Sequence, residues 1–256
     1  MKPHLIKTNM SVIQKICLAG LFIALVTVLQ KVVAINYLAF APFMRISLGG
    51  PALIMFSSVL LGPVYGMVVG IASDLLGYLV FDASGYPPFL QITVIYAVLG
   101  FASYFVFSLV FSIKNRKVLS IIEIVVMALI WALVAIFTWT KGEIFGSSFE
   151  LGTLGKTLVC VISGVIFLAV ILFSILFKPK DKSVLASPLH ICFASFICDF
   201  FVLLLFGSVM KAWAFGFGTF LTIFVVQAFV LFFNVFIDTF FILGFLRFTR
   251  KYFVED

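Results

Sequence analysis

Charge is scarce in this chain. Only 11% of its 256 residues are Asp, Glu, Lys or Arg, while 64% are hydrophobic, 34 are Phe, and the mean hydropathy is +1.30. A soluble domain carries about 25% charged and about 45–50% apolar residues, so a hydrated globular surface is excluded. Histidine is limited to His4 and His190, with no HExxH pair and no histidine–cysteine cluster. That excludes a zinc site and leaves no base to activate a serine deep in the chain. His190, beside Pro188, reads as an interfacial or capping residue. The cysteines Cys17, Cys160, Cys192 and Cys198 form no CxxC pair and read as small buried hydrophobes. No metal, cofactor or catalytic constellation is expected, and no hydrophilic stretch is long enough to fold as a separate catalytic domain. An enzyme is therefore disfavoured.

The net charge of +7 does not indicate nucleic acid. No basic face with interleaved aromatics lies outside the apolar runs, and basic residues in membrane proteins collect in cytoplasmic loops. Gly155-Lys156-Thr157 ends like a phosphate-binding loop, but Glu150 stands where that motif needs its first glycine. The chain is expected to have no nucleotide site of its own.

What the chain does have is long apolar runs. A bilayer-spanning helix needs about 20 apolar residues, and the runs predict an all-α polytopic bundle of about eight spans. These are Ile16–Ala34, Ile46–Leu61, Pro63–Phe81, Phe89–Ile113, Val118–Trp139, Leu154–Phe177, Leu189–Phe206 and Phe220–Phe245. The first reads as a retained helix, because its apolar part runs on without a clean cleavage site. Gly62-Pro63 reads as a tight reversal between the second and third spans. With the N-terminus inside, 12 of the 17 basic residues fall in cytoplasmic segments, which predicts a plasma-membrane protein with both termini cytoplasmic.

The most informative stretch is Gly62-Pro-Val-Tyr-Gly66-Met-Val-Val-Gly70-Ile-Ala-Ser-Asp74-Leu-Leu-Gly77-Tyr78. Gly62, Gly66, Gly70, Asp74 and Tyr78 recur every fourth residue and form one stripe on a helix. Glycines at this spacing let membrane helices pack backbone to backbone, so Gly62, Gly66 and Gly70 are expected to be packing residues. An acid in a hydrocarbon segment needs a partner or a polar cavity, which makes Asp74 a functional candidate. Asp199 and Asp238 are two more intramembrane acids. Glu123 lies near Lys114–Lys117 and reads as an interfacial carboxylate. Arg45, Asp74, Tyr78, Tyr86, Phe89 and Gln91 converge on one mouth of the bundle. A guanidinium there suits a carboxylate, and aromatic faces suit a flat heterocycle.

Residues 42–101 hold Pro-Phe-Met-Arg45-Ile-Ser, GPVYGMVVGIASDLLGYL and SGYPPFLQITVIYAVLGF. They resemble the folate-type substrate-binding (S) component of energy-coupling-factor (ECF) vitamin transporters. That family opens its second helix with R-I-S, has a G-P-x-x-G-x-x-x-G…D-x-x-G turn and third helix, and enters its fourth through Y-x-P-G-F-T-L-S. Here Tyr86-Pro87-Pro88-Phe89-Leu90-Gln91-Ile92 lacks that glycine. Gly20 and Ala24 in the first span are similar to the small-residue patch through which such subunits dock on their coupling protein. The resemblance implies a vitamin-binding subunit, with folate favoured, that works with a transmembrane coupling (T) subunit and two ATP-binding subunits. It also implies six core helices. Residues 16–113 then form the best-matching part, 118–177 an inserted hairpin and 189–246 a C-terminal helix pair. The alternative from the residues themselves is a proton-coupled permease using Asp74, Asp199 and Asp238.

Overall fold

A computed structural model describes residues 7–8, 10–31, 35–38, 41–46, 48–81, 89–113, 115–140, 153–176, 188–215, 220–249 and 253–254. The helices are α1 (Val12–Lys31), α2 (Gly50–Leu61), α3 (Pro63–Phe81), α4 (Leu90–Ser112), α5 (Arg116–Thr140) and α6 (Thr153–Leu176). A rod then runs from α7 (Pro188–Cys198) through a π-helical segment (Asp199–Phe206) into α8 (Gly207–Phe215), and α9 (Phe220–Thr249) follows. Two short antiparallel ribbons accompany the helices. β2 (Ile35–Leu38) pairs with β3 (Ala41–Ile46), and β1 (Lys7–Thr8) pairs with β4 (Phe253–Val254), bringing the two chain ends together.

The chain is thus a polytopic helical membrane bundle. Five helical stretches among the described residues are long and apolar enough to cross a membrane, namely Val12–Lys31, Pro63–Phe81, Leu90–Ser112, Pro188–Ala214 and Val230–Thr249. Shorter apolar stretches lie in α2, α5 and α6.

The second element departs from expectation. In place of a span over Ile46–Leu61, the chain is extended to Ile46 and helical only from Gly50. Gly49 takes a left-handed φ of 83°, and Pro51 sits in the first turn, so the chain enters the helix through a sharp bend. Twelve residues span only about 18 Å, against a hydrocarbon core of about 30 Å. Every residue of α2 is buried, so this is an internal half-length helix whose N-terminus ends inside the bundle.

Around it, α3 and α4 form the tightest antiparallel pair. A Cβ on Gly66 would stand 2.6 Å from the Gly100 carbonyl oxygen and 2.5 Å from the Ser58 Cβ of α2. A Cβ on Gly100 would collide with the Gly66 backbone, and one on Gly70 with the Tyr96 carbonyl. Gly62 differs from these two. Its Cβ direction is open, and its φ of 106° makes it the reversal residue between α2 and α3 instead. The α5–α6 hairpin lies to one side, held by the Trp131 and Phe167 rings stacked at 6.3 Å and by Trp131 Nε1 donating to Ser163 Oγ at 3.3 Å.

One polar expectation changes, and of the two readings of His190 the capping one holds. Glu123 is only 1% exposed and lies beside the Cys192 thiol of α7, because its place on α5 faces inward and not toward the basic cluster. His190 is fully buried, and its Nε2 donates to the Ile113 carbonyl at 3.0 Å, so it caps the end of α4 from a neighbouring helix.

Gly100→Ala should therefore lower the thermal midpoint of the purified protein, since overpacking costs about 1–3 kcal/mol. Gly20→Ala, whose added methyl meets nothing within 4 Å, should leave it unchanged. Tryptophan fluorescence on heating checks both, and equal midpoints for the two variants would contradict this packing.

Candidate functional site

The glycine contacts fix the register in which α3 faces α4. From Gly66 against Gly100 and Gly70 against Tyr96, the next step brings Asp74 to Thr93. Thr93 Oγ1 donates to Asp74 Oδ2 at 2.7 Å, and both residues are buried. From α1, Lys31 Nζ reaches Asp74 Oδ1 at 4.0 Å. The lysine stem crosses Gly77, where a Cβ would stand 2.6 Å from Lys31 Cε, so Gly77 supplies the slot that brings the ammonium back to the acid. One turn below, the Thr27 hydroxyl lies 2.7 Å from the Ile23 carbonyl of its own helix and 3.2 Å from the Ser73 carbonyl of α3. That shared proton stitches α1 to α3 just under the ion pair.

The position of α2 completes the arrangement. Ser58 lies against Gly66, and eight residues further along each antiparallel helix Gly50 stands level with Asp74. The N-terminus of α2 thus ends at the level of a polar layer made of Lys31, Asp74 and Thr93. The β2–β3 hairpin leaves the end of α1 and returns to that N-terminus. Within it, Arg45 pairs with Asn36 across the ribbon, which places the Arg45 backbone at the same end of the bundle. Tyr78 lies one turn beyond Asp74 and is half-buried. Phe89 immediately precedes α4 and is exposed, and Gln91, in its first turn, is half-buried. Tyr86 lies outside the described residues. The structure therefore gathers Asp74, Tyr78, Phe89 and Gln91 toward the hairpin end.

Asp199 and Asp238 occupy a different place. Both are buried, and each lies eleven residues, or about 16 Å, from the end of its rod opposite the hairpin. Their carboxyls face each other, and Asp238 also takes the backbone N–H of Ala52, in the first turn of α2. That N–H is one of the orphan donors at a helix start, so the pair anchors the internal end of α2. Asp199 also opens the π-helical segment. Further along, the Gly207 N–H bonds to Val202 and Leu204 and passes over Leu203. With the Gln227 amide oriented by its neighbours, its nitrogen donates to the Leu203 carbonyl at 2.6 Å and its oxygen accepts from Lys211 Nζ at 3.0 Å.

The docking candidates Gly20 and Ala24 lie on the exposed face of α1, opposite the inner stripe of Ala19, Phe22, Val26, Thr27 and Gln30. Neither is used for packing within the bundle. Lys31, Gln30, Gly77 and Gly100 did not stand out as site residues in the sequence. Their available signal was the spacing of Thr27, Gln30 and Lys31, which places polar groups on the inner face at the end of an apolar helix.

A family model described as "ECF-type riboflavin transporter, S component" matches residues 10–181, about two thirds of the chain. The match takes in α1 through α6, including the α5–α6 hairpin, and ends before α7. No curated protein and no solved structure matches the chain. The chain therefore belongs to the family of ECF-type riboflavin transporter S components and is a substrate-specific membrane subunit of an ECF transporter.

Proposed function

We propose that this subunit binds riboflavin at the hairpin end of the bundle and delivers it inward with a T subunit and two ATP-binding subunits. The observation that carries the choice of vitamin is the Lys31–Asp74–Thr93 cluster. Its one described cation is set against its one acid, so the layer is electrically compensated and favours a neutral ligand. A carboxylate such as that of Asp74 accepts from hydroxyl or ring N–H groups. Riboflavin, a flat heterocycle with a polyol tail and no carboxylate, suits that layer, and the family description names it. Tyr78, Tyr86 and Phe89 would cover the ring and Gln91 would add a polar contact. The β2–β3 hairpin would close over the bound molecule.

Folate is the second reading, favoured by the resemblance of residues 42–101 to folate-type subunits, with Arg45 taking a carboxylate. The α7–α9 rods pack on α2 and α4 in the core, whereas α5–α6 lies at the periphery. That supports treating the hairpin as the added element, although the family match runs through it. The basic clusters support a plasma-membrane orientation with both termini cytoplasmic and the hairpin end outside.

Titration of the purified protein, read by quenching of flavin or protein fluorescence, separates the vitamins. Riboflavin should bind and Arg45→Ala should change its affinity by less than about threefold, which is under 1 kcal/mol. On the folate reading, Arg45→Ala should weaken folate by about ten- to a hundredfold, the effect of losing a charged hydrogen bond. Tight folate binding without riboflavin binding would overturn the first assignment.

Gly20 and Ala24 form the proposed docking face. Ala24→Trp should leave vitamin binding intact and abolish ATP-dependent uptake, because bulk there blocks close helix approach. Loss of binding along with uptake would contradict that role.

A further inference from the structure

Gln30 is 3% exposed, and neither its side-chain nitrogen nor its oxygen has a hydrogen-bond partner among the described residues. It is the only buried side-chain amide among them with both ends unpaired, since Gln227 is satisfied by Leu203 and Lys211. An unpaired buried polar group is costly, and a carboxamide presents two. The other buried orphans are of a different kind: the Asp199 carboxyl faces Asp238, which takes the Ala52 N–H, His190 is bonded through Nε2, and Asn234 contributes only its oxygen. Ser58, Ser195 and Ser208 are small hydroxyls on helices, where the turn below offers a carbonyl, and Glu123 lies beside the Cys192 thiol.

The position of Gln30 is as informative as its lack of partners. It is the last residue of the inner stripe of α1, two turns above Phe22, whose ring meets Phe56 of α2 edge-on at 5.6 Å. At the level of Gln30, α2 has already ended. Lys31, the next residue, reaches Asp74. The amide therefore stands next to the Lys31–Asp74 pair, close to the level at which α2 ends.

We propose that Gln30 recognises the lactam edge of the vitamin's flat ring, its nitrogen donating to a ring carbonyl and its oxygen accepting the adjacent ring N–H. This rests on the vitamin-binding reading above. A carboxamide offers one donor and one acceptor side by side, and a lactam presents the complementary pair. Riboflavin and the pterin of folate share this edge, so the inference does not depend on which of them binds. The β2–β3 hairpin joins the end of α1, just after Gln30, to the start of α2.

The test is a cycle on the full-length protein with riboflavin and N3-methylriboflavin, whose ring N–H is blocked, and with folate and its N3-methylated form as the second arm. Gln30→Leu should weaken binding of the accepted vitamin about tenfold or more. Methylation should cost the wild type a similar factor and cost Gln30→Leu almost nothing, the coupling expected of groups in contact. The ligand-free variant should melt at or above the wild-type temperature, because no group inside the protein loses a partner. Unchanged vitamin affinity in Gln30→Leu, a methylation penalty that persists in the variant, or a lower ligand-free melting temperature would each overturn the proposal. A wild-type protein that binds neither vitamin would instead overturn the binding reading itself, and this inference with it.

Discussion

The contact between the Gly66 and Gly100 backbones is the constraint on which the rest of the bundle depends. No other residue type permits α3 and α4 to approach so closely, since a Cβ on either glycine would meet the other's backbone. Once that contact is made, the antiparallel register is fixed, and Thr93 can stand only against Asp74. The same contact draws Ser58 onto α3 and so sets the height at which α2 ends. Membrane helices gain little from apolar contact alone, because lipid tails are equally apolar. Close packing at small residues and a few polar bonds therefore decide the arrangement.

The half-length helix α2 is the other consequence. A helix ending inside a membrane protein leaves backbone donors that need partners. Asp238, backed by Asp199, meets one of them at Ala52. Near that end Lys31, Asp74 and Thr93 form a polar cluster. Irregular backbone at membrane depth is tolerated where it is enclosed by protein or lines a polar site, and the hairpin of β2 and β3 leads directly into that end of α2. The acids that suggested a proton pathway thus divide into two groups. Asp199 and Asp238 hold α2, and Asp74 belongs to the polar layer level with its end.

Much of this was legible from the residues. The helices follow the apolar runs closely, and the Gly62-Pro63 reversal and the stripe from Gly66 to Asp74 could be read directly. The start of the second span at Ile46 misled because a short apolar run carries no sign of where strand gives way to helix. The deciding feature was Gly49-Gly50-Pro51, which starts a new helix after a bend. Glu123 misled because closeness in sequence to Lys114–Lys117 says nothing about the face of α5 on which it lies. Lys31 and Gln30 stayed hidden because a polar residue at a helix end looks like an interfacial anchor until a neighbouring helix is placed beside it. The partner of Asp74 likewise comes from packing, since Thr93 is one of several polar residues near the start of α4.

The central claim is that this chain selects the vitamin and that transport is driven by ATP hydrolysis in its partners. Its most direct test is uptake of radiolabelled riboflavin into liposomes holding the chain alone or together with its T and ATP-binding subunits. The account predicts accumulation only when those partners and ATP are both present, with no response to an imposed proton gradient. Accumulation by the chain alone, driven by a proton gradient, would contradict it and support the permease alternative.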